Sequence, residues 1–600
     1  METVLGEDIT VCIVDSGYDG RHPLLKETNI VGYELKGSDI VLGECKDVIG
    51  HGTAVLGIIS KLCPKIRFIM IKIFHETLEV EIKQLVLALS FIHNNIDCQI
   101  LHLSLGSRFY SDDLYDVCKK ITDKNIKIVA AFDNFGGISY PAAFDNVIGV
   151  DVSLNCKKND EFIRIKGSPV NIAAKGGLHR VAWLDAKYMI CEGISYSAAY
   201  VTAYFVKCMQ QYGRDCNIMG ILEEHAIKTY CFDEQEREDC FQLNGSVNSA
   251  AVCPLNKETM SLVNFADMLP FEVVKIYDSK YGGKVGSRYA AFRDNGKNMP
   301  TIENFENIDY SVFDTMILGH VSEMSNLLNS DVKKEILDQC LANKVNVYCF
   351  DSYLIEDYRA KFFERGCWIV SADVKVHSSN FNKQGKLYFI QSPVVGIFGT
   401  GQRQGKFTLQ LLLRKWFQDE GYHVGQLGTE PQSALFQMDE IFPFGYEAQM
   451  NLYGEQRIEY LNYLMHRIDR KSVDLIMVGC QSGFVPANYY HVRQYPVHQM
   501  EFLLGTLPDV IVLCVNVFDE SDYIKRTICA IESLADCRVI ALALSKAVPD
   551  SFFRKRIVTD DEIEECSVRL QAEIGVPVFK ISGDGVSKLG EEIVNYLNGD

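Results

Sequence analysis

The feature that most constrains this chain is a rhythm. Along residues 1–215, the short apolar runs ITVCIVD, IRFIMIKIF, CQILHLSLG, IKIVAAF and NVIGVDV alternate with longer amphipathic stretches such as EVEIKQLVLALSFIHNN and DLYDVCKKITDKN. The runs are of strand length, rich in branched side chains and apolar on both faces, as fully buried strands must be. The longer stretches repeat their apolar residues at helical spacing. Strand, helix, strand repetition of this kind predicts a parallel sheet covered by helices on both faces.

The rhythm returns twice. DTMILGH, a helix near 330–343 and VNVYCFD predict a small Rossmann-like β-α-β unit, and from VVGIFGTGQRQGK a third α/β pattern runs to residue 600. A chain of 600 residues is too long for one core, and its size suggests about three or four domains. Between the first two patterns lie the helix-like NIMGILEEHAIKT and the polar DEQERED, read as the close of the first domain. DSKYGGKVGSRYAAFRDNGKNMP, at 278–300, is rich in Gly, Lys and Asn and reads as a junction or exposed loop. The division expected is 1–260, then 261–390 for a linker and the Rossmann-like domain, then 391–600.

Composition excludes several classes. A net charge of -19 argues against nucleic acid as the main partner, because phosphate binding needs a positive face. No apolar run approaches the length of a membrane span, so no membrane association is expected. The N-terminal METVLGEDITVCIVDSG is acidic and enters a strand at once, with no signal-peptide pattern. The 20 cysteines are scattered, without CxxC pairs or zinc spacing, so reduced thiols, a cytoplasmic location and no structural metal are expected.

Sites in parallel α/β sheets gather at the carboxyl ends of strands. Three groups stand at such places. Asp15 ends VCIVD, His51 lies in GHGTAVLGII where a helix begins, and Ser195 follows Gly193-Ile194 at the start of YSAAYVTAYFVKCMQQ. A serine hydroxyl needs a neutral imidazole to take its proton, and the imidazole needs a carboxylate to fix its tautomer. The helix start supplies a backbone N–H for a developing oxyanion, and Asn134 in IVAAFDNFGG carries a second, uncharged donor.

Asp-Ser-Gly, His-Gly-Thr, Ser-Leu-Gly, the Ala-Ala…Asn loop, YPAAFDNVIGV and Gly-x-Ser, in this order, resemble the subtilisin-like serine peptidases over roughly residues 8–250. The order Asp…His…Ser is subtilisin's own. The resemblance implies a subtilisin-like fold in which Asp15 orients, His51 is the general base, Ser195 attacks and Asn134 completes the oxyanion hole. It also implies that Ser104-Leu105-Gly106 pairs with an extended peptide substrate. Ser197 stands where the family usually has alanine and reads as packing. Gly-Ile-Ser replaces the family's Gly-Thr-Ser, Ala199 replaces a later proline, and Phe132-Asp133 replaces Ala-Gly before Asn134, in the segment that lines the first specificity pocket. Two readings stay open there: Asp133 favours a basic residue before the scissile bond, or Phe132 and Asp133 narrow the pocket. Asp15 comes so early that no long propeptide is expected, and no cofactor is needed for this chemistry.

VVGIFGTGQRQGKFTLQLLLRKW is an apolar strand, a Gly-rich loop and an amphipathic helix, the context of a phosphate-binding loop. Gly399, Thr400, Gly401 and Gly405 shape it and Lys406 supplies the cation. Phe407 replaces the usual hydroxyl residue and leaves Thr408 for Mg²⁺. The longer spacing is similar to dethiobiotin-synthetase-like P-loop proteins. With HVGQLGTEPQSALF, VDLIMVGCQSGF, PDVIVLCVN and VPVFKISGDGVSKLGEEIV, residues 305–598 resemble the domain-of-unknown-function 1611 family, a Rossmann-like half joined to a P-loop NTPase-like α/β half. That implies ATP or GTP with Mg²⁺, although Gly479 stands where the family has an acidic residue. Asp474 and Glu430 could substitute for it, but an ordinary structural role is the expected reading for both.

The function expected is an intracellular serine endopeptidase fused to a nucleotide-binding module. Its task would be a dedicated cleavage, such as leader removal while a ribosomally made peptide matures with its partner proteins. The alternatives are a nucleotide-regulated proteolytic switch and an ATP-dependent peptide- or small-molecule-modifying enzyme with an accessory peptidase domain.

Overall fold

The computed structural model describes residues 9–232, 247–289, 300–373, 385–443, 452–486, 489–490, 495–549 and 555–599. The chain forms two compact units: Met1–Gln235 with Ser379–Phe389, and Glu236–Ser378 with Ile390–Asp600. The polar DEQERED run lies outside the described residues.

In the first unit the elements follow as β1 (Thr10–Asp15), β2 (Asn29–Lys36), β3 (Asp39–Leu42), α1 (His51–Leu62), β4 (Arg67–Lys72), α2 (Ile82–Asn95), β5 (Ile100–Leu103) and α3 (Asp112–Thr122). Then come β6 (Lys127–Ala131), β7 (Ile148–Ser153), β8 (Phe162–Lys166), β9 (Val170–Lys175), β10 (His179–Ala182), β11 (Tyr188–Cys191), α4 (Ile194–Tyr212), α5 (Ile218–His225) and β12 (Lys228–Cys231). Ten strands make one sheet in the order β12-β8-β9-β7-β6-β5-β1-β4-β2-β3. The pairings from β2 through β4, β1, β5, β6 and β7 to β9 are all parallel. Every residue of β1 is buried, which is why TVCIVD shows no polar alternation.

The chain leaves β1 towards β4 on one side and returns to β5 on the other. The carboxyl end of β1 is thus the place where the strand order switches direction, a place where open α/β sheets form clefts. Asp15 sits there, in register with Lys72 of β4. The helices α1 and α4 pack on one another, and α4 also rests on β5, β6, β7 and β9. The alanines and buried hydroxyls of α4 let it lie close: Ala198 and Ala199 are fully buried.

The second unit holds two further parallel sheets. One has six strands, ordered Ile302–Asn304, Glu272–Asp278, Ser249–Cys253, Thr315–Leu318, Asn346–Cys349, Ile369–Ser371. The other has seven, ordered Glu440–Ile441, Val424–Gly428, Leu475–Gly479, Val394–Gly399, Val510–Val515, Arg538–Leu544, Val578–Lys580. One apolar cluster draws Val252, Ile317 and Tyr348 from the first group together with Leu411, Leu435 and Phe436 from the second. The strand Ser249–Cys253 opens this unit's sheet within the stretch expected to close the first domain. The 278–300 stretch leaves strand Glu272–Asp278 and returns to the neighbouring Ile302–Asn304. Its two ends belong to adjacent strands of one sheet rather than to different domains, and residues 290–299 lie outside the described residues.

Candidate active site and phosphate loop

At the carboxyl end of β1 the Asp15 carboxylate meets His51 with both oxygens: Nδ1 lies 2.8 Å from Oδ1 and 3.0 Å from Oδ2. Asp15 is fully buried and also accepts the Ser16 N–H. Buried carboxylates must have their lone pairs filled, and this one is. Close approach of the two elements depends on Gly52, where a Cβ would fall 2.2 Å from the Gly17 carbonyl oxygen. Gly50 precedes α1 with φ of 100°, under the ring of Trp183. Asp47 secures the turn: it accepts the N–H groups of Ile49, Gly50 and Thr53 and the Thr53 hydroxyl.

Burial works against a charged His51, yet the charge and hydrogen bond of Asp15, helped by the charge of Asp47, outweigh it. The imidazolium is therefore held above the ordinary histidine value.

Ser195 is the second residue of α4, preceded by Gly193 and Ile194, and it is largely buried beside the cleft. Among the described residues Ser195 and His51 are not joined by a hydrogen bond; the ring of the neighbouring Tyr196 lies 5.8 Å from that of His51. The Asn134 Oδ1 accepts the Ile194 N–H at 2.9 Å. An N–H must meet an acceptor, so this contact fixes the amide's orientation and leaves its NH₂ group to donate elsewhere. The amide NH₂ and the first-turn N–H of Ser195 both stand at the start of α4. Ser197 is fully buried and donates to the Lys175 carbonyl at 2.6 Å, a packing role.

Leu105 and Gly106 extend beyond β5, and among the described residues neither takes part in a backbone–backbone hydrogen bond. That leaves an open edge, and it ends where Ser107 and Tyr140 exchange N–H···O bonds of 2.8 and 2.7 Å. Ser104 is tied to His102, whose Nε2 lies 2.6 Å from Ser104 Oγ and whose Nδ1 lies 2.8 Å from Thr202 Oγ1 of α4. Burial and the nearby His51 push the His102 pKa down to about 3, so this imidazole stays neutral. It links Ser104 to the helix that carries Ser195. Sequence reasoning passed over it; the signal was a histidine inside the apolar run ILHL.

Phe132 is buried and packs over Gly149, where a Cβ would meet its ring at 2.7 Å. The Asp133 carboxylate is matched across the pocket segment by Arg108 Nε at 3.1 Å and accepts the Phe135 N–H at 2.9 Å. Its charge is thus already partnered by a residue of this chain.

In the second unit, strand Val394–Gly399 runs into the Gly-rich loop, and Gly405, at φ of 88°, turns the chain into helix Lys406–Asp419. Gln404 crosses the loop: its Oε1 accepts the Gly401 N–H at 2.8 Å and its Nε2 donates to Thr400 Oγ1 at 2.6 Å. Thr400 in turn donates to Asp519, a half-buried carboxylate that sequence reasoning missed; it follows strand Val510–Val515 in the motif NVFD. Lys406 is buried and donates to the Gly401 carbonyl at 2.5 Å. Burial holds its pKa below the ordinary lysine value. Among the described residues it has no carboxylate ion pair, so the fit to an anionic group is good. Thr408 is half-buried in the first turn of the helix. At Gly479 a Cβ would lie 1.8 Å from Gln410 Nε2, so the Gln410 side chain fills the space beside this glycine. Asp474 accepts the His423 N–H just before strand Leu475–Gly479, at the end away from the loop. Glu430 lies 4.0 Å from Lys257 and contributes to the field at Lys406.

Comparison with known proteins finds two separate family matches. Residues 6–238 match the family model of the subtilase family, and residues 383–590 match that of the P-loop domain of the domain-of-unknown-function family DUF1611. The minor extracellular protease Epr of Bacillus subtilis (strain 168) is 26% identical over 226 residues, 36% of this chain and 34% of that protein. The major intracellular serine protease of the same organism is 25% identical over 221 residues, 33% of this chain and 67% of that protein. Among solved structures, a cold-adapted subtilisin-like serine proteinase aligns over 36% of this chain and 81% of its own, with a TM-score of 0.32 and 19% identity. A DUF1611 family protein from Anabaena variabilis ATCC 29413 aligns over 58% of this chain and 100% of its own, with a TM-score of 0.44 and 12% identity. The chain therefore joins a subtilase-family domain to a DUF1611 P-loop domain.

Proposed function

We propose that the first unit is a serine endopeptidase. The observation that carries this reading is the two-oxygen contact between Asp15 and His51, opposite a serine at the start of a helix. Ser195 Oγ attacks the peptide carbonyl and passes its proton to His51 Nε2, while Asp15 holds Nδ1–H. The oxyanion forms between the Asn134 amide and the Ser195 N–H. Collapse breaks the peptide bond as His51 protonates the leaving amine; water then repeats the sequence to release the acyl group. An extended peptide pairs with the free edge at Leu105 and Gly106.

The pairing of Arg108 with Asp133 supports a pocket without a strong basic preference. Peptides with Lys or Arg before the scissile bond are expected to be cleaved within about tenfold of those with Leu or Phe. Arg108→Ala leaves Asp133 unmatched and is expected to raise the basic preference about tenfold, read as the ratio of kcat/KM values. A wild-type preference for basic residues far above tenfold would overturn this account of Asp133.

The second unit is read as the binding site of a phosphate-bearing ligand, ATP or GTP with Mg²⁺ being the class that a P-loop suits. Lys406 and the backbone N–H groups around Gly405 would hold the phosphates, and Thr408 offers the metal a hydroxyl. A bound nucleotide would supply phosphoryl chemistry or a switching signal. Lys406→Ala is expected to weaken nucleotide binding at least about tenfold in calorimetry, without changing peptide cleavage measured in nucleotide's absence. Undiminished binding would contradict the loop's role. The union of a peptidase with such a module suits a dedicated cleavage within the cell, such as leader removal from a ribosomally made peptide. Cleavage of a leader-bearing precursor at one bond, with bulk casein left largely intact, is the expected result.

A further inference from the structure

Five residues from far along the chain, 385–389, fold onto the first unit. They lie beyond the subtilase match, which ends at 238, and inside the stretch matched to the P-loop family, which begins at 383. Their main partner is the loop that carries Asn134. The Leu387 carbonyl accepts the Ile138 N–H at 2.9 Å. Lys386 Nζ forms an ion pair with Asp151 Oδ2 at 2.9 Å, donates to the Gly136 carbonyl at 3.3 Å and lies 5.1 Å from the centre of the Phe132 ring. Phe389 meets Phe109 edge-on at 5.0 Å.

Lysine is almost never buried without a partner, yet the Lys386 side chain is only 6% exposed. Its contacts span the loop: Phe132 at its start, Gly136 at its turn, and Asp151 on β7 as the fixed point beneath. The loop is tied internally through Asp133 to Phe135, Gly136 and Ser139, but beyond that turn it carries the adjacent Gly136 and Gly137, with Gly136 at φ of 91°. Phe109, which the same five residues touch, lies just after Ser104-Leu105-Gly106. The segment therefore ties that stretch to the loop that carries Asn134. Among the described residues neither Lys386 nor Leu387 forms a hydrogen bond with Asp15, His51 or Ser195.

We propose that Lys386 is a positioning residue of the peptidase. By bridging Asp151, the Gly136 carbonyl and Phe132, it holds Asn134 where the oxyanion develops, so the oxyanion hole is completed by a segment from outside the subtilase match. This rests on the serine-peptidase reading above.

The test uses the full chain. Lys386→Met, Lys386→Arg and Asp151→Asn are compared with wild type in kcat, KM, the rate of labelling by a fluorophosphonate and Tm. Lys386→Met is expected to lower kcat and the labelling rate together by about 10–100-fold, with KM nearly unchanged, because a misplaced oxyanion donor weakens only the transition state. Lys386→Arg is expected to restore most of the loss. Asp151→Asn, combined with Lys386→Met, is expected to add little to it. Should Lys386→Met fail to fold, Asp151→Asn alone carries the same expectation. Unchanged kcat in a labelled Lys386→Met protein, a rise in kcat as from a displaced plug, or a change in KM alone would each overturn the inference. Absence of labelling in wild type would instead overturn the peptidase reading itself.

Discussion

Alanine at Ser195 is expected to lower peptide hydrolysis by about 10⁶-fold, and alanine at His51 by a similar factor. The double variant should lose no more than either single one, because the two groups act as one unit and neither has a function without the other. Folding should survive. The Ser195 hydroxyl makes no hydrogen bond among the described residues, so removing it strands no buried partner. Progress curves on a fluorogenic peptide at high protein concentration, with thermal unfolding in parallel, provide the check. Residual activity within tenfold of wild type in Ser195→Ala would mean that hydrolysis arises elsewhere.

Asp15→Asn should cost about 10⁴-fold in kcat, since an amide in place of the carboxylate favours the wrong tautomer of His51 and cannot stabilise its imidazolium. The pH dependence gives the sign. In wild type the Asp15 charge and hydrogen bond raise the His51 pKa in spite of burial. Neutral His51 is the active form, so kcat/KM should rise with pH through a midpoint above the ordinary histidine value. In Asp15→Asn burial remains and its counterweight is lost, so that midpoint should move below it. Stability follows the same group in the opposite sense. A folded-state pKa above the unfolded one stabilises fully below the unfolded pKa and is lost as pH rises through the folded pKa. The stability gap between wild type and Asp15→Asn should therefore be widest in acid and shrink as His51 deprotonates. Urea unfolding across this window tests the claim; a gap that widens with rising pH would contradict it.

The parallel sheet of the first unit was legible because buried strands and amphipathic helices leave periodic traces, and TVCIVD, RFIMIK and KIVAA all became strands. The meeting of Asp15 with His51 and of Asn134 with the start of α4 was legible because each residue lies in a short motif whose glycines or small residues the close packing requires. Partnerships between distant residues leave no such trace. Nothing near Asp133 in sequence announces that Arg108, on the neighbouring loop, matches its charge. His102 looked like an interruption of an apolar strand until Ser104 and Thr202 were seen on either side of its ring. Asp519 reads as a loop residue, and only the fold brings it under Thr400. The segment around Lys386 was invisible for the same reason: Asp151 and Gly136 meet it only after more than 200 residues of intervening chain have folded.

The central claim is that Ser195 is a nucleophile activated by His51. Reaction of the full chain with a fluorophosphonate, followed by mass spectrometry of its proteolytic fragments, tests this most directly. A single adduct on Ser195, absent from Ser195→Ala and strongly slowed in His51→Ala, is the predicted result. No adduct on the folded wild-type protein, or one on another serine with Ser195 unmodified, would contradict it.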